Sequence, residues 1–560
     1  MIESNYSFET RCLSPLVKVF ADEELTHPSF IQATSLRNEV FSFQIAYKFV
    51  GEPIKNINVD VQSDFQIPVR VRSVGLVPSE YPSFYDHDDQ ILRSTPGLYP
   101  DPLYPIGEEG MIGYPNQWRS VWVTVSVDNK DEPGLHKITI KFTNHHGDKM
   151  GEEKFILEVI PVELPEQQLI HTEWIHSDCL AVHYGVEVFS EKYWELVDSY
   201  IKTASDHGIN MILTPLFTPP LDTDIGGERP TVQLVEVEKQ ADKYYFNFDK
   251  LTRWIDICLR RGIKYIEFSH FFTQWGANYA PKIIASIDGQ KEKVFGWDTD
   301  ASSDKYKSFL SQFLPQIAQY IKDKHLENQV YFHISDEPNL EHMESYKNAS
   351  EIMLTYLSEF SIMDALSDYE FYKNGLVKIP IPATDHIEPF LNNGVPNLWT
   401  YYCNAQYKQV SNRFLNFPSV RTRIIGYQLY KHDIKGFLHW GYNFWFSQYS
   451  HKAIDPFKNT DADISFPSGD AFLVYPGEDG PIESIRLEVF FDALQDLRAL
   501  QLLESLIGKN EVIELVEGQL EGPITFKEYP WNSEWLLGIR EQINRKITKS
   551  LNLKITRETS

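Results

Sequence analysis

Two carboxylic acids stand side by side in the stretch QVYFHISDEPNL, which starts at Gln329: Asp336 and Glu337, followed at once by Pro338. Adjacent acids repel, so one of the two carboxyls is expected to hold a proton near neutral pH. An acid beside a carboxylate is what cleavage of a glycosidic bond requires: one group protonates the leaving oxygen, and the other meets the charge that develops on the sugar. The same Asp-Glu-Pro-Asn also suits the first turn of a helix over LEHMESYKNASEIML, where acids complement the helix dipole. The element that carries the pair decides between these readings.

VYFHIS reads as a buried strand with Val330, Phe332 and Ile334 on one face and Tyr331, His333, Ser335 and Glu337 on the other. Pro338 is expected to hold Glu337 extended. From residue 166 onward the chain alternates strands with amphipathic helices. Ser190 caps a helix stopped by Gly208 before INMILT, and Asp249 caps one stopped by Gly262 before IKYIEF. With IHTEWIH, QVYFHIS, SIMDALS, KIPIPAT, NLWTYYC and GFLHWGYNFW this makes eight strands, the count of a (β/α)8 TIM barrel. SIRLEVFFDALQDLRALQLLESL would be its last helix. Catalytic groups of such barrels sit at the C-terminal ends of the strands, where Glu337 falls.

Residues 1–165 differ: EVFSFQIAYKFV, IKNINVDVQS, VRVRSVGLV, SVWVTVSV, HKITIKFTN and EKFILEVIPVEL have period-2 patterning without long helical stretches, the mark of a β-sandwich. The expected fold is therefore an N-terminal β-sandwich (1–165), a (β/α)8 barrel (166–510) and a C-terminal helical extension packed on the barrel (511–560). The Pro-, Gly- and Tyr-rich segment 85–118 reads as a long loop reaching over a neighbouring pocket.

Composition narrows the partners. With 52 basic and 79 acidic residues the net charge is −27, which argues against nucleic acid and anionic membranes. A neutral or cationic ligand fits better, and with the acid pair a small-molecule glycan or glycoside is the expected partner. Four widely separated cysteines lack metal-ligand spacing and read as buried free thiols; no metal or organic cofactor is called for. MIESNYSFETRCL has no apolar signal-peptide core, and no run approaches the roughly 18 apolar residues of a membrane span, so the sequence reads as cytoplasmic with no membrane insertion.

Several side chains near strand ends suit sugar binding: Trp174, Tyr401, Trp440 and Trp445 as platforms, Asn443 and His270 as hydroxyl partners. Core packing explains each of them as readily. His176 is a further hydroxyl partner. Trp275 and Trp297 flank an insertion after the third strand that would wall the pocket, and Asp101 would reach the site from the sandwich. A conventional glycosidase needs a second carboxylate across the mouth; the seventh and eighth strands contain none, which leaves Asp364 and Asp385. A 2-acetamido sugar removes that need, because its own amide oxygen can act as nucleophile.

HISDEP, GFLHWGYNFW and GDAFLVYPG followed by GPIESIRLE resemble the signatures of glycoside hydrolase family 123 and its related catalytic-domain group, and the likeness extends upstream through NEVFSFQIAY and NQWRSVWVTVSV. LEVFFDALQDLRALQLLE departs somewhat from the family's final helix. The resemblance implies a β-sandwich before a barrel and an exo-acting, retaining β-N-acetylgalactosaminidase using substrate-assisted catalysis. It also implies that Asp336 polarises the acetamido group and that Glu337 is the general acid/base. Two alternatives stand beside it: a glycosidase for a sugar lacking the acetamide, with Asp364 or Asp385 as nucleophile, and a barrel that binds glycans without cleaving them.

Overall fold

The computed structural model describes residues 7–558; residues 1–6 and 559–560, at the outer ends of the expected first and last segments, lie outside the described residues. The chain forms two compact units, one of residues 1–168, 407–431 and 482–560, the other of 169–406 and 432–481.

The first unit is built on two five-stranded sheets. One has the order β1-β3-β8-β5-β6 and the other β2-β10-β9-β4-β7, with β1 Ser7–Leu13, β2 Gln32–Arg37, β3 Val40–Val50, β4 Ile54–Gln62, β5 Arg70–Ser79, β6 Gly97–Pro105, β7 Met111–Gly113, β8 Trp118–Ser126, β9 Gly134–Thr143 and β10 Lys149–Glu163. Alternate side chains such as Phe43, Ile45, Val121, Val123, Ile140 and Leu157 form the core between the sheets. The segment expected as a loop over 85–118 contributes β6 and β7, both at sheet edges. Three prolines in GLYPDPLYP disguise β6; an edge position tolerates them because the missing N–H groups cost no ladder bond on the open side.

The helix Ile485–Ile507, expected as the barrel's last, groups with this first unit, as does 407–431. The expected divisions at 165 and 510 follow the change of element type, whereas these units follow contacts. Within the first unit the helix's Arg486, Glu488 and Asp496 are buried and paired with Asp101, Arg72 and Arg423.

The second unit holds an eight-stranded parallel sheet: β11 Ile170–Glu173, β12 Met211–Thr214, β15 Tyr265–Phe268, β18 Val330–Phe332, β19 Ser361–Ala365, β20 Ile379–Ile381, β21 Trp399–Tyr401 and β22 Gly436–His439. These are the eight segments read as strands from the sequence. Pairing of β11 with β22, and a parallel bridge between Ala383 and Tyr401, close the circle into a TIM barrel. Two hairpins interrupt the rhythm. β13 Glu236–Gln240 with β14 Lys243–Asn247, and β16 Ile283–Ile287 with β17 Gln290–Phe295, form a separate four-stranded sheet.

Helix signals work locally. Ser190 accepts the Tyr193 N–H at the start of helix Glu191–Asp206, and Gly208 and Gly262 take the positive φ values (79° and 87°) that end their helices. Asp249 is not a cap but the first helical residue, its N–H held by the Asn247 side chain at 2.8 Å. Inside the barrel, Gly436 is required by packing: an added Cβ would lie 1.9 Å from the Trp399 ring. Among the described residues, no helix is long and apolar enough to cross a membrane.

Candidate active site

A cavity of about 180 Å3 opens at the C-terminal ends of the barrel strands. Asp336 and Glu337 follow β18 into it, joined by Trp174 from the end of β11, Trp275 after β15, Tyr401 from β21 and Trp440 after β22. It is small beside the roughly 300–1,000 Å3 of drug-sized ligand sites, a size for one ring.

The acid pair is held by its backbone. The Trp275 N–H donates to the Asp336 carbonyl at 2.8 Å, and the Glu337 N–H donates to the Ala365 carbonyl at 3.0 Å. Glu337 is not extended as expected but left-handed, with φ 44°. Proline biases its predecessor toward extended backbone, so the left-handed form is held against that bias, with the bond to β19 among the contacts that fix it. Asp222 (φ 45°), Trp275 (φ 56°) and Tyr449 (φ 56°), all on the cavity wall, share this conformation. Non-glycine residues held at positive φ carry strain that surrounding contacts must hold in place.

The Tyr401 hydroxyl donates to Glu337 Oε1 at 2.6 Å. Asp336, partly exposed to the cavity but crowded by protein atoms, has its carboxyl pushed well above the ordinary carboxylate range. Burial is the first cause and the Glu337 charge the second. The His333 cation opposes them, and Asp364 and Glu267 add to them.

Beneath the pair lies a fully buried network. His333 faces Glu267 Oε1 through Nε2 (2.6 Å) and Asp364 Oδ1 through Nδ1 (3.1 Å). With a carboxylate at each nitrogen, the ring carries both protons. Burial alone would lower its pKa, but the two carboxylates outweigh that and hold it up to about 10. Glu267 also accepts the Trp174 indole N–H at 2.7 Å and the Thr172 hydroxyl, while Asp364 accepts the Ile334 N–H at 3.0 Å and the Tyr346 hydroxyl.

His270, His333 and Asp364 converge closely enough to suggest metal ligands. The two rings stack, however, with centroids 4.3 Å apart and planes at 26°. An ion must lie in the plane of each imidazole at about 2.0–2.1 Å, and rings so nearly parallel share no such point. The residues do not fit a shared ion.

Of the sugar-binding candidates, Trp174, Tyr401 and Trp440 line the cavity. Trp440 is oriented by its indole N–H on Asp470 (3.0 Å) and by Phe444 and Phe466 against its ring. His270, Asn443 and Trp445 do not line it. His270 is 1% exposed and stacked on His333. Asn443 accepts the His176 N–H and donates to the His176 carbonyl, and Trp445 is 2% exposed with its indole N–H on the Val474 carbonyl. These three belong to the support behind the wall: His270 just after β15 is stacked beneath it, and beyond the end of β22 the chain carrying Asn443 and Trp445 turns into packed loop. His176 is buried there too, on the Trp440 carbonyl. Trp297 bonds to the Gly227 carbonyl, and Asp101 is fully buried on Arg486 within the first unit.

The two alternative nucleophiles are also absent from the cavity wall. Asp364 is sealed in the floor network, and Asp385 is tied to His386 and Gln406. A third carboxylate does line it: Asp222, on the loop after β12. The only sequence signal for Asp222 was its place on a loop following a barrel strand. Gln274, Asn404, Gln448 and Tyr449 complete the polar wall. Of the four cysteines, Cys12, Cys179 and Cys258 are buried free thiols and Cys403 borders the cavity.

A closed parallel barrel with an acid pair and aromatic rings at its mouth defines a glycoside-cleaving enzyme of the TIM-barrel type. The family model for the glycoside hydrolase 123 catalytic domain matches residues 174–503, more than half of the sequence. The chain belongs to glycoside hydrolase family 123 and is a glycosidase. Among solved structures it is similar to a family 123 glycoside hydrolase from Clostridium perfringens, described for glycolipid glycan hydrolysis. The two share 16% identity and a TM-score of 0.74 over 99% of both chains, a likeness of fold. An endo-beta-1,4-mannanase from Thermotoga petrophila aligns at 12% identity and a TM-score of 0.34, over 60% of this chain and 77% of that one. No curated protein sequence matches this chain.

Proposed function

We propose that the protein is an exo-acting, retaining β-N-acetylhexosaminidase, a β-N-acetylgalactosaminidase in particular, that uses the substrate's acetamido group as nucleophile. The observation that carries this reading is the adjacent pair Asp336 and Glu337 on a one-ring cavity, with Asp364 and Asp385 outside it. The C. perfringens relative, described for glycolipid glycan hydrolysis, supports a glycan as substrate.

In this mechanism the Glu337 carboxylic acid gives its proton to the glycosidic oxygen as the bond from that oxygen to C1 breaks. The acetamide carbonyl oxygen forms the new bond to C1, and the Asp336 carboxylate accepts the amide N–H as positive charge grows on nitrogen. Glu337 then takes a proton from water, whose oxygen attacks C1 and opens the oxazolinium ring with net retention. In the free protein burial and Glu337 favour a proton on Asp336. The arriving amide N–H stabilises the Asp336 carboxylate, so that substrate binding favours the charged form the reaction needs there.

Asp222 favours a second reading, in which it is the nucleophile for a sugar lacking the acetamide. Hydrolysis of the 4-nitrophenyl β-glycosides of N-acetylgalactosamine, N-acetylglucosamine and galactose by wild type, Glu337→Gln and Asp336→Asn separates the two. Cleavage of acetamido sugars alone, with both variants reduced at least about 100-fold, is the expected result. Turnover of the plain galactoside, or a fully active Asp336→Asn, would overturn it.

A further inference from the structure

Asp222 is held as firmly as the acid pair, by different means. Its N–H donates to Gln274 Oε1 at 2.8 Å, its carbonyl accepts the Ser450 hydroxyl at 2.8 Å, and its Oδ2 accepts the Tyr449 N–H at 3.0 Å. The loop behind it is locked by Arg229, a buried guanidinium bonded to both oxygens of Asp178 (2.8 and 2.7 Å) and to the Leu221 carbonyl (3.2 Å). Backbone, side chain and left-handed φ are thus all fixed. Among the described residues Oδ1 has no protein hydrogen-bond partner, on a residue that lines the cavity.

A half-buried carboxylate oxygen facing an open cavity is hydrated, and a ligand that displaces the water must replace its hydrogen bond or leave the charge desolvated. The groups that a sugar ring offers to an acceptor are its hydroxyls. We propose that Asp222 is a specificity-determining residue that accepts hydrogen bonds from ring hydroxyls of the sugar whose reacting end lies at Asp336 and Glu337. This deepens the function proposed above and rests on it for the orientation of the sugar. Burial first, with the Asp224 charge adding, pushes the Asp222 carboxyl up to about 6, against Arg229, the Tyr449 N–H and His451. At neutral pH it therefore remains mostly the acceptor the proposal needs. A fixed acceptor also discriminates sharply, since a sugar lacking the matching hydroxyl leaves that oxygen desolvated and unpaired.

The test measures binding, which does not depend on turnover. Calorimetric affinities for N-acetylgalactosamine and its 3-, 4- and 6-deoxy analogues are compared between wild type and Asp222→Asn. Asparagine can keep an acceptor for the Tyr449 N–H while turning an NH2 donor toward the cavity, so the wall is preserved; Asp222→Ala serves as the second variant. Wild type is expected to lose about tenfold or more in affinity for at least one deoxy analogue, and both variants to lose that discrimination. Discrimination unchanged in the variants, or no sugar binding by wild type, would overturn the assignment. A covalent adduct on Asp222 from a 2-deoxy-2-fluoro glycoside would overturn it in favour of a nucleophile. Hydroxyl-dependent binding without turnover of any acetamido glycoside would leave the assignment standing and defeat the proposed reaction instead.

Discussion

Buried acids of the first unit and the acids around the cavity of the second are treated in opposite ways, although the second unit also holds a buried pair in Asp178 and Arg229. In the first, most meet a guanidinium: Asp101 pairs with Arg486 (3.0 and 2.8 Å), Glu488 with Arg72 (2.7 Å), Asp496 with Arg423 (2.7 and 2.9 Å) and Glu39 with Arg540 (2.9 Å). Asp492 has only a single arginine nitrogen at 3.2 Å, and burial pushes it up to about 7. Around the cavity of the second unit, among the described residues, no arginine or lysine is bonded to Asp336, Glu337 or Asp222. The cation that opposes the burial of Asp336 is the imidazolium of His333, itself shared between two other carboxylates, and Arg229 and His451 only partly offset the burial of Asp222. A permanent cation beside an acid keeps it ionised and fixes geometry. Withholding one leaves protons at the mouth of the barrel, available for transfer near neutral pH.

The sharpest break of this contrast is Arg486→Met. It removes the two guanidinium bonds from fully buried Asp101, and loss of about 3–5 kcal/mol of stability is expected from denaturant titration, with specific activity of the folded fraction unchanged. Replacing both partners with apolar residues should recover much of the loss. The acid pair should behave in reverse. Glu337→Gln and Asp336→Asn are expected to lose at least about 100-fold in kcat while Tm stays level or rises, because each removes a like-charge repulsion.

His333→Gln tests the weaker counter-ion. Without the cation, Asp336 holds its proton more tightly, so the acid limb of kcat should move to higher pH by about one pH unit. Stability gives the second readout. The native pKa of about 10 lies above the ordinary value near 6.5. The contribution of His333 is thus complete below about pH 6.5 and fades as pH rises through about 10. Wild-type Tm should fall across that window by more than that of the variant. The smallest effect is expected at Trp445→Phe, which should leave KM unchanged since the ring is packed behind the wall, whereas Trp440→Phe should raise KM because the cavity face is smaller and the indole N–H that orients it on Asp470 is gone.

Much of the scaffold was legible because its signals are local. Apolar runs marked all eight barrel strands, alternation marked six of the ten sandwich strands, and Ser190, Gly208 and Gly262 marked helix ends. β6 escaped because its prolines are tolerated only at an edge, and edge status is a property of the assembled sheet. The candidate site was half legible. Asp336 and Glu337 are neighbours in the chain and remain neighbours in space, so covalent adjacency announced them. Asp222 and Asp101 carried no such mark: one acid in a loop became part of the cavity wall, and another, expected near the site, became the partner of Arg486.

By itself the sequence determined the elements, the order in which they follow and the acid pair at the end of the fourth barrel strand, since periodicity, turn chemistry and covalent adjacency act within a few residues. Tertiary structure alone decided which distant groups share a buried space: Glu267, His333 and Asp364 in the floor, Tyr401 against Glu337, and Asp222 on the wall. The reason is physical. Closing the barrel sets the register between strands tens of residues apart, and the desolvation and charge that tune each carboxyl exist only once those strands have met.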